Sequence, residues 1–226
     1  MDVNSIAILI PAYNEENTVR NVVERCLVYS KNVIIVDDGS TDGTIDQIAH
    51  LPVILLKNKI NRGKGASLQR GFEYIISQKF SGVITLDADC QHNPDDLDQF
   101  FKLIAQNSKS IIIGARKLQT DNAPRKRLWA NKIADFFISL AARRKLQDTQ
   151  SGFRYYPTDF LLKINLNKTA SCFAFETEIL ITAVRHGFWV AYVEIHSCYP
   201  KEARESHYRG MRDSLEIIKS VSKMIF

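Results

Sequence analysis

The feature that most limits how this chain can fold is a series of short, almost wholly apolar runs in its first half. The runs are Ile6–Ile10, Val33–Val36, Val53–Leu56, Val83–Leu86 and Ile111–Ile113. Runs of this length that are rich in β-branched residues predict strands buried on both faces, as in a parallel sheet covered by helices.

Helical patterns lie between these runs, at Glu16–Val28, Thr44–Ala49, Ala66–Ile76 and Asp95–Ala105. Strands that alternate with helices in this way predict βαβ units, and therefore a doubly wound α/β fold with a mostly parallel sheet. Asn93 and Pro94 strengthen the fourth helix, because a capping side chain followed by proline is typical of a helix start.

The second half of the chain is less regular. Its residue pattern predicts a helix over Leu128–Arg144, a strand over Gly152–Tyr156, a helix over Phe175–His186, a strand over Val190–Ile195 and a basic amphipathic helix over Arg209–Phe226. We see no repeat or linker in the 226 residues, so we expect a single domain over residues 1–226. No apolar run approaches the roughly 20 residues of a membrane-spanning helix.

The net charge indicates which kinds of binding partner are favoured, and the cysteines indicate in which cellular compartment the protein works. The net charge of +5 favours anionic partners, which include nucleic acid, lipid head groups and phosphorylated metabolites. From Arg116 to Lys145 the chain has nine basic residues and only two acids. That segment lacks an interleaved aromatic platform, so a membrane surface or a phosphate substrate explains it as well as nucleic acid does. The four cysteines form no C-x-x-C pair, which favours reduced thiols in the cytoplasm.

The residues that follow the predicted strands carry the chemistry, because ligands bind at the carboxyl ends of strands in open α/β sheets. Asp87 and Asp89 follow the fourth run, and alternation places both on one side of the extended chain. Two carboxylates so placed repel each other unless a cation intervenes, and Mg²⁺ or Mn²⁺ with diphosphate oxygens suits them. Gln91 continues the same side and offers a neutral oxygen.

Two further loops are candidates on the same edge. Asp37 and Asp38 precede a Gly-Ser-Thr-Asp-Gly turn. A carboxylate there can contact the base or ribose of a nucleotide, or it can have only a structural role in forming the turn. The run from Asn61 to Gly65 lacks the Walker spacing of an ATPase, but Lys64 at a helix N-terminus can hold an anion.

Eight motifs taken together resemble glycosyltransferase family 2, which has the GT-A fold, and most closely its dolichol- or polyprenyl-phosphate branch. The motifs are PAYNEE at Pro11–Glu16, VDDGSTDGT at Val36–Thr44, NRGKGAS at Asn61–Ser67, LDADCQHNP at Leu86–Pro94, GAR at Gly114–Arg116, DTQSGFRYYP at Asp148–Pro157, FETEIL at Phe175–Leu180 and SHYR at Ser206–Arg209. They occur in order along nearly the whole chain.

The resemblance implies roles for the donor side. Donor-binding positions would be Pro11, Tyr13, Glu15, Asp38, Lys64, Asp87 and Arg116. Of these, Asp38 would contact the base or ribose, Asp87 the sugar or ribose, and Arg116 the phosphates or sugar. Asp89 and Gln91 would hold Mg²⁺ or Mn²⁺.

On the acceptor side, the resemblance implies that Arg127 contacts the acceptor phosphate. Arg204 and Ser206 would lie in a late loop that closes over the diphosphate. Glu178 would contact the acceptor and would serve as a base only for a hydroxyl acceptor. His207 stands where mannosyltransferases carry lysine, which leaves GDP-mannose and UDP-glucose types of donor both open.

The function so implied is an inverting transfer of a hexose from a nucleoside-diphosphate sugar to a polyprenyl phosphate. Residues 1–115 would form the nucleotide-sugar half, residues 116–208 the acceptor side, and residues 209–226 a terminal helix. The basic segment and the terminal helix would contact the cytoplasmic face of a membrane, without a transmembrane segment and without nucleic acid. The alternatives are a family 2 transferase with a hydroxyl acceptor, a glycan or lipid, and a nucleotide-sugar-binding protein without turnover.

Overall fold

Strand β1 (Ile6–Ala12) lies near the middle of the sheet in the computed structural model, which describes residues 5–116, 125–164, 174–196 and Val221. The other strands are β2 (Val33–Asp37), β3 (Ile54–Lys57), β4 (Gly82–Thr85), β5 (Ile111–Arg116), β6 (Arg154–Pro157) and β7 (Val190–Ile195). Their order is β3-β2-β1-β4-β6-β5-β7, and only β6 runs antiparallel to its neighbours. The predicted α/β fold with a mostly parallel sheet is therefore confirmed.

Helices connect these strands at α1 (Val19–Tyr29), α2 (Thr44–Ile48), α3 (Lys64–Ser77), α4 (Leu97–Asn107), α5 (Arg125–Ala142), α6 (Thr158–Leu161) and α7 (Phe175–Arg185). A 3-10 turn, Pro94–Asp96, precedes α4. The prediction that the first helix begins at Glu16 was wrong, because the Glu16 carboxylate accepts a hydrogen bond from the Gly43 N–H in the loop after β2. The short helix α6 was not predicted. Of the predicted helix Arg209–Phe226, only Val221 is described; it is helical and buried.

Alternation along β1 explains why the apolar runs are continuous. Ile6, Ile8 and Ile10 belong to a core cluster on one face of the sheet, whereas Ala7 and Leu9 belong to a second cluster on the other face. A strand that is covered on both sides has no solvent-facing positions, so every residue in it is apolar. In the parts of the chain that the structure describes, no helix combines the length and the apolar character that crossing a membrane requires.

The direction of β6 determines which loops meet. Arg154, at the start of β6, lies opposite Thr85 at the end of β4 and opposite Ile113 in β5. Because β6 is antiparallel, the loop that precedes it reaches the edge where β4 and β5 end. Residues 148–153 are therefore brought to the carboxyl edge, beside the loops in which the sequence predicts the chemistry.

Candidate active site at the carboxyl edge of the sheet

The loops after β1 and β2 are tied to each other by short hydrogen bonds. The Asn14 N–H donates to Ser40 Oγ at 2.9 Å, and the Thr41 N–H donates to Asn14 Oδ1 at 2.8 Å. Asn14 has a φ of 55°, in the left-handed region that asparagine tolerates well. These bonds fix the turn that presents the half-buried side chains of Tyr13 and Glu15, two of the predicted donor-binding residues, at this edge. Pro11, near the end of β1, is half-buried at the same edge.

Asp38 is buried and orders the loop that leads into α3. Its carboxylate accepts hydrogen bonds from the Gly63 N–H at 2.7 Å, the Arg62 N–H at 3.0 Å and Asn58 Nδ2 at 2.7 Å. Gly63 has a φ of 90°, a conformation that glycine adopts without steric cost. Asp38 thus sets where α3 begins, and its contact with a base or ribose stays a prediction.

Lys64, the first residue of α3, bridges two carboxylates. Its Nζ lies 2.6 Å from Asp87 Oδ1 and 3.0 Å from Glu176 Oε2. Burial acts against the charge of each group, yet the Lys64 ammonium holds the pKa of Asp87 below its usual value. The same two carboxylates hold the pKa of Lys64 above its usual value, despite its burial. Three elements, α3, α7 and the end of β4, therefore share one charge-matched contact.

Asp89 is the less well compensated acid of the Asp87–Asp89 pair. Burial and the neighbouring charge of Asp87 raise the pKa of Asp89 to about 6, and the charge of Glu15 adds to this. Its Oδ1 accepts a hydrogen bond from the Gln91 N–H at 3.0 Å, so the carboxylate is held in place. A partly buried carboxylate beside a second acid is a ready ligand for a divalent cation.

The ligands that the described residues offer fit Mg²⁺ or Mn²⁺ bound together with a substrate. Among the described residues, no three His, Cys, Asp or Glu side chains converge as a closed metal site. Mg²⁺ is usually held by one or two carboxylates, with water and substrate phosphates completing its coordination. Asp89 supplies such a carboxylate, and Gln91 stays the predicted neutral ligand.

Arg116, the last residue of β5, is held by Asp148 in a two-pronged contact. Its Nε lies 2.9 Å from Asp148 Oδ2 and its Nη2 lies 2.5 Å from Asp148 Oδ1, and the Arg116 N–H also donates to Asp148 at 2.8 Å. Both side chains are at most 7% exposed. Asp135 on α5 in turn accepts hydrogen bonds from the N–H groups of Asp148, at 3.0 Å, and Thr149, at 2.8 Å. A fixed guanidinium thus lies at this edge of the sheet.

Glu176, which had no role in the sequence-based prediction, makes the α7 carboxylate contact to Lys64. Side chains two positions apart on a helix do not share a face, so the two acids in the first turn of α7 point in different directions. Arg154, which is fully buried, donates to the Glu176 carbonyl oxygen at 2.8 Å and fixes the start of α7. Glu178 is half-buried, and its predicted role in acceptor contact stays a prediction.

Two other residues at this edge had no role in the sequence-based prediction. His92 is buried 5.7 Å from the ring of Phe153, and burial lowers its pKa to about 4, so it is neutral at pH 7. A Cβ at Gly152 would lie 2.7 Å from Asp87 Oδ2 and 2.8 Å from Lys64 Nζ, so a side chain there would displace these two charged groups. Both lie inside motifs quoted above, which could have drawn attention to them.

The structure does not describe the side chains of three residues that were predicted to lie on the acceptor side. Arg127 falls in the first turn of α5, and its side chain lies outside what the structure describes. Arg204 and Ser206 also lie outside the described residues.

A family model and several known proteins match this chain. The model of glycosyl transferase family 2 matches residues 7–175, which is more than half of the chain. A UDP-N-acetylglucosamine–dolichyl-phosphate N-acetylglucosaminyltransferase of Methanococcus voltae is 29% identical over 86% of this chain and 86% of its own length. A polyprenol monophosphomannose synthase of Mycolicibacterium smegmatis is 28% identical over 83% of this chain and 75% of its own length. A dolichyl-phosphate beta-glucosyltransferase of Trichomonas vaginalis is 25% identical over 84% of this chain and 64% of its own length.

Solved structures match the fold. Glucosyl-3-phosphoglycerate synthase from Mycobacterium tuberculosis, in complex with Mn²⁺, UDP-glucose and phosphoglyceric acid, superposes with a TM-score of 0.78 over 97% of this chain and 79% of that one. Its sequence identity to this chain is 16%, so the match supports the fold and nothing further. Another structure of that enzyme contains Mg²⁺ and UDP.

Proposed function

The chain belongs to glycosyl transferase family 2 and has the GT-A fold, and from that premise we propose that it transfers a hexose from a nucleoside-diphosphate sugar to a polyprenyl phosphate. The observation that carries the proposal is the cluster in which Lys64, Asp87, Asp89 and Arg116 interact at the carboxyl edge. It combines acids suited to a divalent cation with fixed cations suited to a diphosphate. The names of the relatives support a lipid phosphate as acceptor.

The donor half of the proposal rests on residues 1–115. Asp89 and Gln91 would hold Mg²⁺ or Mn²⁺, which when bound neutralises charge on the leaving diphosphate. The metal-containing structures of the same fold support this choice of ion. Asp87 would accept a hydrogen bond from a sugar or ribose hydroxyl, and Pro11, Tyr13 and Glu15 would line the nucleotide pocket.

Arg116 and Lys64 would stabilise the negative charge that develops on the diphosphate as its bond to the sugar breaks. The transition state of glycosyl transfer resembles an oxocarbenium ion, so placement and charge stabilisation account for most of the acceleration. Because Asp148 already holds the Arg116 guanidinium, this group needs little reorganisation during the reaction. Attack from the face opposite the diphosphate inverts the anomeric carbon.

A phosphate acceptor needs no general base. The second pKa of a phosphate monoester is about 6, so at neutral pH the acceptor is already a nucleophilic dianion. Within residues 116–208, Arg127, Arg204 and Ser206 would contact the acceptor phosphate and close over the diphosphate. Since polyprenyl phosphates reside in membranes, we place the protein peripherally on the cytoplasmic membrane face, in contact through its basic segment and residues 209–226.

The direct test is to incubate the protein with Mg²⁺ or Mn²⁺, undecaprenyl or dolichyl phosphate, and a panel of radiolabelled GDP- and UDP-sugars. We expect label to enter the organic phase for at least one donor. Label transferred only to a water-soluble glycan or to a lipid hydroxyl would favour the hydroxyl-acceptor alternative. Donor binding without product under every condition would favour the binding protein without turnover.

A matched pair of variants separates the two acids of α7. We expect Glu176→Gln to lower kcat/KM at least tenfold, because Lys64 loses one of its two carboxylates and pulls Asp87 out of place. With a phosphate acceptor, Glu178→Gln should change kcat less than about threefold, since no base is required. Steady-state kinetics on both variants measures this, and a large loss of kcat in Glu178→Gln alone would point to a hydroxyl acceptor.

A further inference from the structure

Lys64 occupies a carboxylate that the proposed reaction assigns to the donor. Its Nζ lies 2.6 Å from Oδ1 of Asp87, the residue that would accept a hydrogen bond from a sugar or ribose hydroxyl. The side chains of Lys64 and Asp87 are only 24% and 26% exposed. On the other side of the carboxylate, a Cβ at Gly152 would come within 2.7 Å of Asp87 Oδ2. Asp87 is therefore paired within the protein, and a donor that contacts it has to displace a cation.

The Lys64 ammonium also competes with a metal ion for the charge of the acid pair. Asp89, the proposed metal ligand, is two positions from Asp87 in the sequence. Burial and the charge of Asp87 raise the pKa of Asp89, and the charge of Lys64 acts in the opposite direction. Lys64 thus neutralises part of the negative charge that attracts a divalent cation, and its own positive charge repels such an ion. Binding of Mg²⁺ or Mn²⁺ without a donor is opposed by this arrangement.

Glu176 offers the ammonium a second place to bind. Lys64 Nζ lies 3.0 Å from Glu176 Oε2, and Glu176 Oε1 is buried with no hydrogen-bond partner in the part of the chain that the structure describes. A buried oxygen without a donor is costly, so this carboxylate can accept a closer contact. The start of α7 is fixed, because the fully buried Arg154 donates to the Glu176 carbonyl oxygen at 2.8 Å. The flexible member of the contact is the four-carbon side chain of Lys64.

We propose that Lys64 is a resident cation that holds Asp87 in the donor-free protein and moves fully onto Glu176 and the diphosphate when metal and donor bind. Metal and donor then bind cooperatively, because each favours the arrangement in which Lys64 has left Asp87. Lys64 is thus a positioning residue for Asp87 before it contacts the substrate. The inference rests on the proposed function, which supplies the nucleoside diphosphate, but it needs neither an acceptor nor turnover.

Binding of Mn²⁺ to the full chain without nucleotide, measured from the paramagnetic resonance signal of the free ion, tests the competition. Lys64→Met should bind Mn²⁺ roughly tenfold more tightly than the parent protein, because Asp87 is released. Glu176→Gln should bind it roughly threefold more weakly, because Asp87 alone then holds the ammonium. The control for net charge is Lys102→Met, which removes a lysine that is 71% exposed on α4 and should change the affinity by less than about twofold.

Nucleotide binding tests the movement of Lys64. Calorimetry gives the affinity for UDP or GDP, whichever binds, first in EDTA and then with saturating Mn²⁺. The factor by which Mn²⁺ tightens nucleotide binding should be about tenfold smaller in Lys64→Met than in the parent, because no cation has to leave Asp87. Equal factors in the two proteins would overturn the proposal, as would a Lys64→Met variant that binds Mn²⁺ no more tightly than the parent.

A crystal structure of the parent protein with Mn²⁺ and the nucleotide tests the same movement without any substitution. We expect Lys64 Nζ to lie beyond about 4 Å from Asp87 Oδ1, outside ion-pair distance, with its contact to Glu176 kept. An unchanged separation of 2.6 Å would refute the proposal. A protein that shows the expected binding but transfers no sugar contradicts only the proposed function. A transferase in which Lys64 stays on Asp87 contradicts only this inference.

Discussion

Asp89→Asn is expected to lower the rate of sugar transfer by about a thousandfold and to remove its dependence on Mg²⁺ or Mn²⁺. The expectation follows if Asp89 is the carboxylate that holds the ion, since a bound cation contributes several kcal/mol of charge stabilisation in the transition state. Initial rates measured over a range of metal concentrations give both the rate and the metal dependence. The fold should be unaffected, because the substitution removes a carboxylate that Asp87 repels.

Asp159→Asn is the matched control for this experiment. Asp159 is an exposed acid on α6, which follows the far end of β6 and so lies at the opposite edge of the sheet. We expect its activity and metal dependence to equal those of the parent protein. An Asp89→Asn variant that kept its full metal-dependent rate would show that the ion is held elsewhere.

Asp148→Asn is expected to lower the free energy of unfolding by about 3 kcal/mol, because the buried Arg116 guanidinium would lose its ion pair with Asp148. Asparagine suits the backbone at this position, where φ is 46°, so the loss reports the charge and not backbone strain. Activity should fall as well, since Arg116 is no longer held in place. Urea unfolding followed by circular dichroism measures the change in stability.

The ion pair of Asp98 with Lys102 on α4 provides the comparison. Its atoms are 2.5 Å apart, but both side chains are more than half exposed. Asp98→Asn should therefore lower the free energy of unfolding by less than about 1 kcal/mol. Equal losses in the two variants would mean that burial adds nothing to the Arg116–Asp148 contact.

The strands could be predicted because burial on both faces leaves an unbroken apolar run, and Val190–Ile195 was predicted to the residue. The start of α1 could not, because Glu16 reaches Gly43, which lies 27 positions away in the sequence. A pattern of neighbouring residues gives no information about a contact between residues so far apart in the sequence. For the same reason α6, only four residues long, left no helical periodicity to detect.

The sequence could predict which residues reach the carboxyl edge where a residue lies at the end of a strand or just beyond it, as Asp87, Asp89 and Arg116 do. Which acid of α7 joins them could not be predicted, because Glu176 and Glu178 are equally placed in the sequence and only the rotation of the helix decides between them. The contact of Lys64 with both Asp87 and Glu176 joins residues up to 112 positions apart, and it depends on the space that Gly152 leaves. Spacing along the chain does not reveal such a cluster.

The antiparallel course of β6 has a consequence for how enzymes of this shape diversify. Because β5 ends and β6 begins at the same edge as direct neighbours, the intervening chain leaves and re-enters the sheet at one place, like an enlarged hairpin. That stretch can change in length without reordering a strand, provided that Ile138 still packs inward and Asp135 still reaches the loop before β6. Under the proposed function this segment belongs to the acceptor side, so exchanging it would change the acceptor and leave the proposed donor-binding residues in place.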